Sequence, residues 1–312
     1  MSLVQLDPSL LSTLHDRVVV LTGGAIGIGR SAVGQFHAAG AKIVFGDIQD
    51  EPGQSLESQL GRDRVRYVHC DTTLYADQLR LFETAEKEFG RVNVVVANAA
   101  IAIHKDPFLP EADITVEPPT AEIDVNLKGA LFTARIGMHY LRKNKSSEEG
   151  PGGDLILVSS IAGFKESSGL VTYTASKHGV LGILRGLRVS ALKENIRINA
   201  ICPWMTKTRM VRGIEQGWYE KNLPTNEPAD VARAIVLCAT ANRGTTTSHP
   251  GAKLPFAGKI LWIGGGKAYE IEDRLQELEP EWLGRENSAV LARGQAFLEA
   301  EGTSWDVDKQ KK

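Results

Sequence analysis

A β-branched strand that runs straight into a glycine-rich turn and then a helix leaves a chain few folds to adopt. That pattern stands near the start of this one. Arg17–Leu21 (RVVVL) reads as a short strand and is followed at once by Thr22-Gly23-Gly24-Ala25-Ile26-Gly27-Ile28-Gly29. A helical pattern then runs from Arg30 to Ala39 and stops at Gly40. Glycines let the backbone turn tightly and let a pyrophosphate approach the free N–H groups and positive end of the helix. The next strand, Lys42–Gly46 (KIVFG), ends in Asp47, where a carboxylate would hold an adenosine ribose. Strand, glycine turn, helix and acidic residue together point to a dinucleotide site.

The rest of the chain repeats the alternation. Strand candidates lie at 18–21, 43–45, 64–69, 94–97, 155–159, 196–201 and 259–263. Helix candidates lie near 30–39, 52–60, 74–89, 119–142, 173–193 and 228–240. This predicts an α/β fold: one doubly wound, seven-stranded parallel sheet with helices on both faces. Ligands of such sheets bind past the carboxyl ends of the strands. The glycine string, Asp47, Asp71, Asn98, Ser160 and Pro203 all fall at such ends.

A second constellation lies in Ser160 to Lys177, SIAGFKESSGLVTYTASK. Tyr173 and Lys177 are four apart, so on a helix they share a face. An ammonium beside a phenol favours the phenolate and lowers its pKa from about 10. A general base working on an alcohol near neutral pH needs that shift. Ser160 ends the apolar run Leu155–Val158 and could hydrogen-bond the same substrate oxygen, whereas Ser159 would point to the other face of the strand. A surface helix with an ordinary Tyr-x-x-x-Lys gives the same spacing, so the pair alone does not decide.

Composition narrows the classes. A net charge of -2 and a pI near 6.4 give no nucleic-acid or membrane footprint. No run reaches the roughly 18 apolar residues of a membrane span, and the amino end lacks the pattern of a secretory signal. Cys70, Cys202 and Cys238 are odd in number, far apart and in apolar surroundings. They are expected to be buried free thiols in a reducing, cytoplasmic setting. No cluster has metal-ligand spacing, so no catalytic metal is expected.

With these motifs in view, residues 15 to 268 resemble the short-chain dehydrogenase/reductase family. Its Thr-Gly-x-x-x-Gly-x-Gly motif matches Thr22 to Gly29, and its Asn-Asn-Ala-Gly motif appears, altered, as Ala97-Asn98-Ala99-Ala100. Its structural asparagine matches Asn126, and its Ser-Tyr-Lys set matches Ser160, Tyr173 and Lys177. YTASKHGVLG and IRINAICP look most like the 15-hydroxyprostaglandin dehydrogenase group and its fungal relatives. The resemblance implies a Rossmann-type domain, with Tyr173 as general base or acid and Ser160 on the reacting oxygen. Lys177 would assist Tyr173 and hold the nicotinamide ribose, and Asn126 would hold a water on a proton path. Implied cofactor contacts are Gly23, Ile26, Gly27, Ile28, Gly29, Asp47, Ile48, Asp71, Thr72, Asn98 and Ala99. Pro203, Thr206 and Thr208 would join Tyr173 and Lys177 at the nicotinamide end. Asp47 followed by Ile48 rather than arginine favours NAD over NADP. The equivalent helices form a two-fold interface in the family, which implies a homodimer or homotetramer built with Gly129, Ala130, Ala134, Gly179 and Gly182.

Departures from the pattern bear on the substrate. Trp204 stands where the family has glycine, Ala100 replaces another glycine, and Leu170 replaces a polar glutamine of prostaglandin dehydrogenases. A bulky, largely apolar secondary alcohol or ketone is therefore expected, bound by Ser160, Leu170, Tyr173, Trp204 and Trp218. Residues 1–14 read as an arm packed on the domain, 143–153 as a polar surface loop and 203–227 as a substrate lid. The helix-prone extension 269–312, with Trp282 and Trp305, would be a solvated tail, a subunit contact or a cover over the site; Trp204, the lid and the extension are expected to enclose the substrate jointly. An NADP-dependent ketoreductase of a secondary-metabolite pathway is the competing enzyme reading. A cofactor-binding template or sensor without redox chemistry is the competing class, and its mark would be a broken Ser-Tyr-Lys set.

Overall fold

The computed structural model describes residues 2–103, 106–144, 152–240, 256–300 and 303. All seven expected strands are present: β2 (Val18–Thr22), β3 (Lys42–Asp47), β4 (Val65–His69), β5 (Val94–Ala97), β6 (Gly153–Val158), β7 (Ile196–Pro203) and β8 (Ile260–Gly264). They are mutually parallel, in the order β8-β7-β6-β5-β2-β3-β4. From β2 the chain builds outward one way through β3 and β4, then returns to place β5 on the other side. The crevice between the carboxyl ends of β2 and β5 is thus the topological switch point.

Alternation along each strand sends side chains to two separate cores. Val19 and Leu21 of β2 pack with α1 (Gly27–Ala38), α2 (Asp50–Leu60) and α7 (Pro228–Thr240) on one face. Val18 and Val20 pack with α3 (Tyr75–Phe89), α4 (Gly129–Arg142) and α5 (Val171–Lys193) on the other. Such strands are apolar throughout because both faces are covered. Cys70, Cys202 and Cys238 are buried free thiols.

Among the described residues the sheet has nine strands, not seven. β9 (Lys267–Glu270) turns back antiparallel on β8, and β1 (Ser2–Val4) adds antiparallel to β9. Both are too short for periodicity to reveal. Part of the segment read as an arm therefore belongs to the sheet, and β9 runs across the boundary drawn at residue 268. The helix expected at 119–142 begins as a π-helical turn, Ile123–Lys128, before α4.

The extension forms α8 (Glu272–Glu277), α9 (Glu279–Leu283) and α10 (Arg285–Leu298). Its first turn is tied down by charge: Lys259 Nζ donates to both oxygens of Asp273 at 2.7 Å, and Arg185 forks onto Glu272 at 2.9 and 3.1 Å. α10 buries none of its residues. Trp305 and most of 143–153 lie outside the described residues.

Candidate active site

The glycine turn is shaped by contacts that leave no space for a side chain. Gly23 has a φ of +71°, and a Cβ on it would lie 2.7 Å from Ala99 Cα. A Cβ on Gly29 would lie 1.9 Å from Gly23 O. Asn98 Nδ2 donates to Thr22 O at 3.1 Å and Gly23 O at 2.9 Å, so the end of β5 holds the turn after β2 in place. Gly27 differs: its φ is +57°, and its Cβ position meets only Thr208, at 3.5 Å. Ile26 places no side-chain cap on α1, so the first-turn N–H groups are left for a ligand. A dinucleotide phosphate fits this cradle.

Asp47 ends β3 at the rim of the same turn. Its Oδ2 accepts from Ala25 N at 3.0 Å and its Oδ1 from Gln49 N at 3.0 Å. The carboxylate thus braces the turn, and each oxygen keeps lone-pair capacity for a ribose hydroxyl. Asp71 Oδ1 accepts from Thr73 N and Oγ1 at 2.9 and 2.8 Å, closing the loop after β4.

β6 and α5 supply the other constellation. Ser160 follows β6 and caps a short 3₁₀ turn through Ala162 N at 3.2 Å. Tyr173 and Lys177 share a face of α5, with Lys177 Nζ 5.6 Å from the centre of the Tyr173 ring. That ammonium also donates to Val158 O at 3.1 Å. Ser159 Oγ instead donates to Lys177 O at 2.8 Å and fastens helix to strand.

One cavity of about 670 Å³ joins the two halves. It is lined by every residue expected at the site apart from Asn126: the glycine turn, Asp47, Ile48, Asp71, Thr72, Asn98, Ala99, Ser160, Leu170, Tyr173, Lys177, Pro203, Trp204, Thr206, Thr208 and Trp218. Asn126 is buried behind the wall. Its amide accepts from Ile101 N at 2.8 Å, donates to Ile101 O at 2.9 Å and donates to Ser176 Oγ at 3.2 Å.

The electrostatics differ from the expectation that Lys177 lowers the Tyr173 pKa. Burial pushes Tyr173 up to about 12, and the nearby Glu122 carboxylate and Cys202 add to the rise, while the Ser160 hydroxyl works against it. Burial also brings Lys177 down to about 8. In each group burial moves the balance toward the neutral form. Cys202, packed behind them, is pushed up to about 12 by burial.

The lid is partly as expected. Met205, Thr206, Thr208–Val211, Ile214 and Trp218 line the cavity, and Trp204 meets Trp218 edge-to-face with ring centres 5.1 Å apart. Tyr219 does not line it and is exposed. Sequence reading missed the residue that fixes the base of this lid. Asn226 is fully buried: its Nδ2 donates to Ile263 O, its Oδ1 accepts from Gly266 N, and its backbone pairs with Met205 and Lys207. A lone asparagine in a polar stretch gives no signal of that role. The described part of the extension does not enclose the cavity: Trp282 is 69% exposed, and no described residue beyond Trp218 is among the lining residues.

A family model described as short chain dehydrogenase matches residues 17–217. Short-chain dehydrogenase/reductase ascJ of Acremonium egyptiacum is 34% identical over 271 residues, 85% of this chain and 84% of that one. The 5'-hydroxyaverantin dehydrogenase of Dothistroma septosporum is 28% identical over 91% of this chain and 94% of its own. Among solved structures, 3-hydroxyacyl-CoA dehydrogenase type-2 from Mycobacterium avium has a TM-score of 0.68 at 24% identity, covering 82% of this chain and 98% of that one. A 3-ketoacyl-(acyl-carrier-protein) reductase from Brucella melitensis, complexed with NADH, gives 0.68 at 23%, covering 81% and 98%. The two structures share the fold.

The buried lysine carries a stability cost with a defined pH dependence. Its pKa falls from 10.5 unfolded to about 8 folded, so between these values the unfolded chain binds more protons. Stability therefore rises with pH through that window, and the full cost stands below about pH 8. Lys177→Met removes the cost while losing the bond to Val158 O. The variant should be more stable than the native protein at pH 7 by on the order of 1 kcal/mol, with the advantage shrinking toward pH 10. Thermal melting across that range measures it, and a variant less stable at pH 7 would contradict the argument.

Proposed function

Because this chain belongs to the short-chain dehydrogenase family, we propose that it transfers a hydride between NAD and a bulky, largely apolar secondary alcohol or its ketone. The observation that carries the reading is the meeting of a phosphate cradle with Ser160, Tyr173 and Lys177 in one cavity. Leu170, Met210, Ile214 and the Trp204–Trp218 pair supply an apolar wall beyond them. Such walls suit a flat, bulky substrate and exclude water. Relatives named as a 5'-hydroxyaverantin dehydrogenase and as a fungal short-chain dehydrogenase/reductase support an alcohol–ketone conversion in secondary metabolism. A reducing, cytoplasmic setting accords with the three free thiols.

A bound nicotinamide supplies the hydride acceptor for oxidation and the donor for reduction. The glycine turn and first turn of α1 would hold the pyrophosphate, and Asp47 the adenosine ribose, with Ile48, Asp71, Thr72, Asn98 and Ala99 around the adenosine. Pro203, Thr206 and Thr208 would seat the nicotinamide end. Ser160 Oγ would hold the reacting oxygen and stabilise its developing charge. In reduction Tyr173 Oη, which its raised pKa keeps protonated at neutral pH, donates the proton. In oxidation Tyr173 accepts the proton, which requires Lys177 to keep its own and so offset the phenolate. Asn126, whose side chain is spent on Ile101 and Ser176, would serve the proton path through its backbone.

Tyr173→Phe should lower kcat by about a hundredfold or more while leaving NAD binding, followed by fluorescence titration, near native. Retention of most turnover would remove Tyr173 from the reaction.

Asp47 is set against a 2'-phosphate by charge and by the backbone hydrogen bonds that fix it. Direct titration should give NAD about tenfold or more tighter binding than NADP. Tighter binding of NADP would favour the ketoreductase reading instead.

The assembly we propose is a homodimer or homotetramer built on α4 and α5. Most of the small residues expected there serve inside the subunit: Ala130 and Ala134 are buried, Gly129 abuts Thr72, and Gly179 abuts Leu127. Gly182 and Gly186 face open space and Leu131 is exposed, which leaves a surface for close approach. Light scattering should give at least twice the 33.9 kDa chain mass; a monomer at micromolar concentration would overturn the proposal.

A further inference from the structure

A buried carboxylate stands behind the reacting end of the cavity. Glu122 is 4% exposed. Its Oε1 accepts from Ile103 N at 2.7 Å. One helical turn later Asn126 grips Ile101 through both N–H and C=O. Side chains four apart share a face, and here they seize alternate residues of one extended segment. Ile101 and Ala102 of that segment line the cavity. The clamp continues: Asn126 Nδ2 donates to Ser176 Oγ, and Ser176 Oγ donates to Tyr173 O at 2.7 Å. Wall, clamp and the backbone of Tyr173 are therefore one hydrogen-bonded unit.

We infer that Glu122 is a positioning residue for Tyr173: together with Asn126 it fixes the 101–103 wall of the cavity to the hydrogen-bonded unit that includes the Tyr173 backbone. Among the described residues, four polar or ionisable groups act on Tyr173. Lys177 comes from α5 itself, Cys202 from β7, Ser160 from the end of β6, and Glu122 from the segment before the π-helical turn. Among them Glu122 is the carboxylate, and it opposes the phenolate. A carboxylate there disfavours the phenolate and so holds the proton on Tyr173 in the resting enzyme. The inference rests on the proposed function insofar as Tyr173 is the group that moves the proton.

Two variants separate the two parts. Glu122→Gln keeps an oxygen that accepts from Ile103 N and removes the charge; Glu122→Ala removes both. Amide hydrogen exchange of the peptide 100–103 should rise severalfold in Glu122→Ala and stay near native in Glu122→Gln. In NAD-linked oxidation of a secondary alcohol, the acid limb of kcat/KM should move to lower pH by about half a unit in Glu122→Gln. A merely structural role would leave that limb in place. Unchanged exchange in Glu122→Ala would overturn the clamp, and superimposable pH profiles would overturn the electrostatic part. Failure of the native protein to oxidise any secondary alcohol with NAD would strike the proposed function itself, and the exchange comparison would still judge the clamp.

Discussion

Everything at this site depends on the contact that closes the switch point. β2 and β5 are neighbours in the sheet but lie more than seventy residues apart in sequence, and the chain leaves them in different directions. The Asn98 amide bridges that parting by holding two carbonyls of the glycine turn. The turn presses back so closely that Gly23 and Gly29 admit no side chain. The glycines are thus needed first for packing and only then for a ligand. Asp47 completes the brace from the β3 side through Ala25 N. Three strand ends are locked into one rim before any cofactor arrives, which is preorganisation in the physical sense: the cost of ordering is met by folding.

The proton-transfer end follows the opposite logic. Tyr173 and Lys177 are placed where burial works against the charged form of each, so the site stores electrostatic cost rather than relieving it. Groups whose environments pull them from their ordinary values belong at reactive centres. The scaffold bears this cost through two apolar cores of ordinary kind, one on each face of the sheet.

Much of this was legible in the sequence, and the limits have physical reasons. Seven strands and their helices were visible because doubly covered strands are apolar runs, and helices repeat every 3.6 residues. β1 and β9, at three and four residues, fall below any period. The residues around the cavity could be named because strand carboxyl ends were visible and the family motifs fell on them. Their energetics could not. Proximity of Lys177 to Tyr173 was predicted correctly, but the sign of the net shift depends on burial, which no spacing encodes. The roles of Asn226 and Glu122 were silent because each acts through backbone amides that the sequence does not identify. YTASKHGVLG and IRINAICP bring Tyr173, Lys177 and Pro203 to the cavity on a helix and a strand whose other residues largely pack the core, so they mark shared machinery and hold no record of a substrate.

The antiparallel edge has a consequence for how the molecule is made. Ser2 pairs with Glu270, so β1 is translated long before the strand it pairs with. Until Lys267–Glu270 has been synthesised, β1 lacks that partner, while the central strands already have theirs. Long-range closure of this kind is slow compared with local helix formation. The nascent protein therefore carries β1 as an unpaired strand, and that segment is exposed to chaperone engagement or stray β-pairing during biosynthesis.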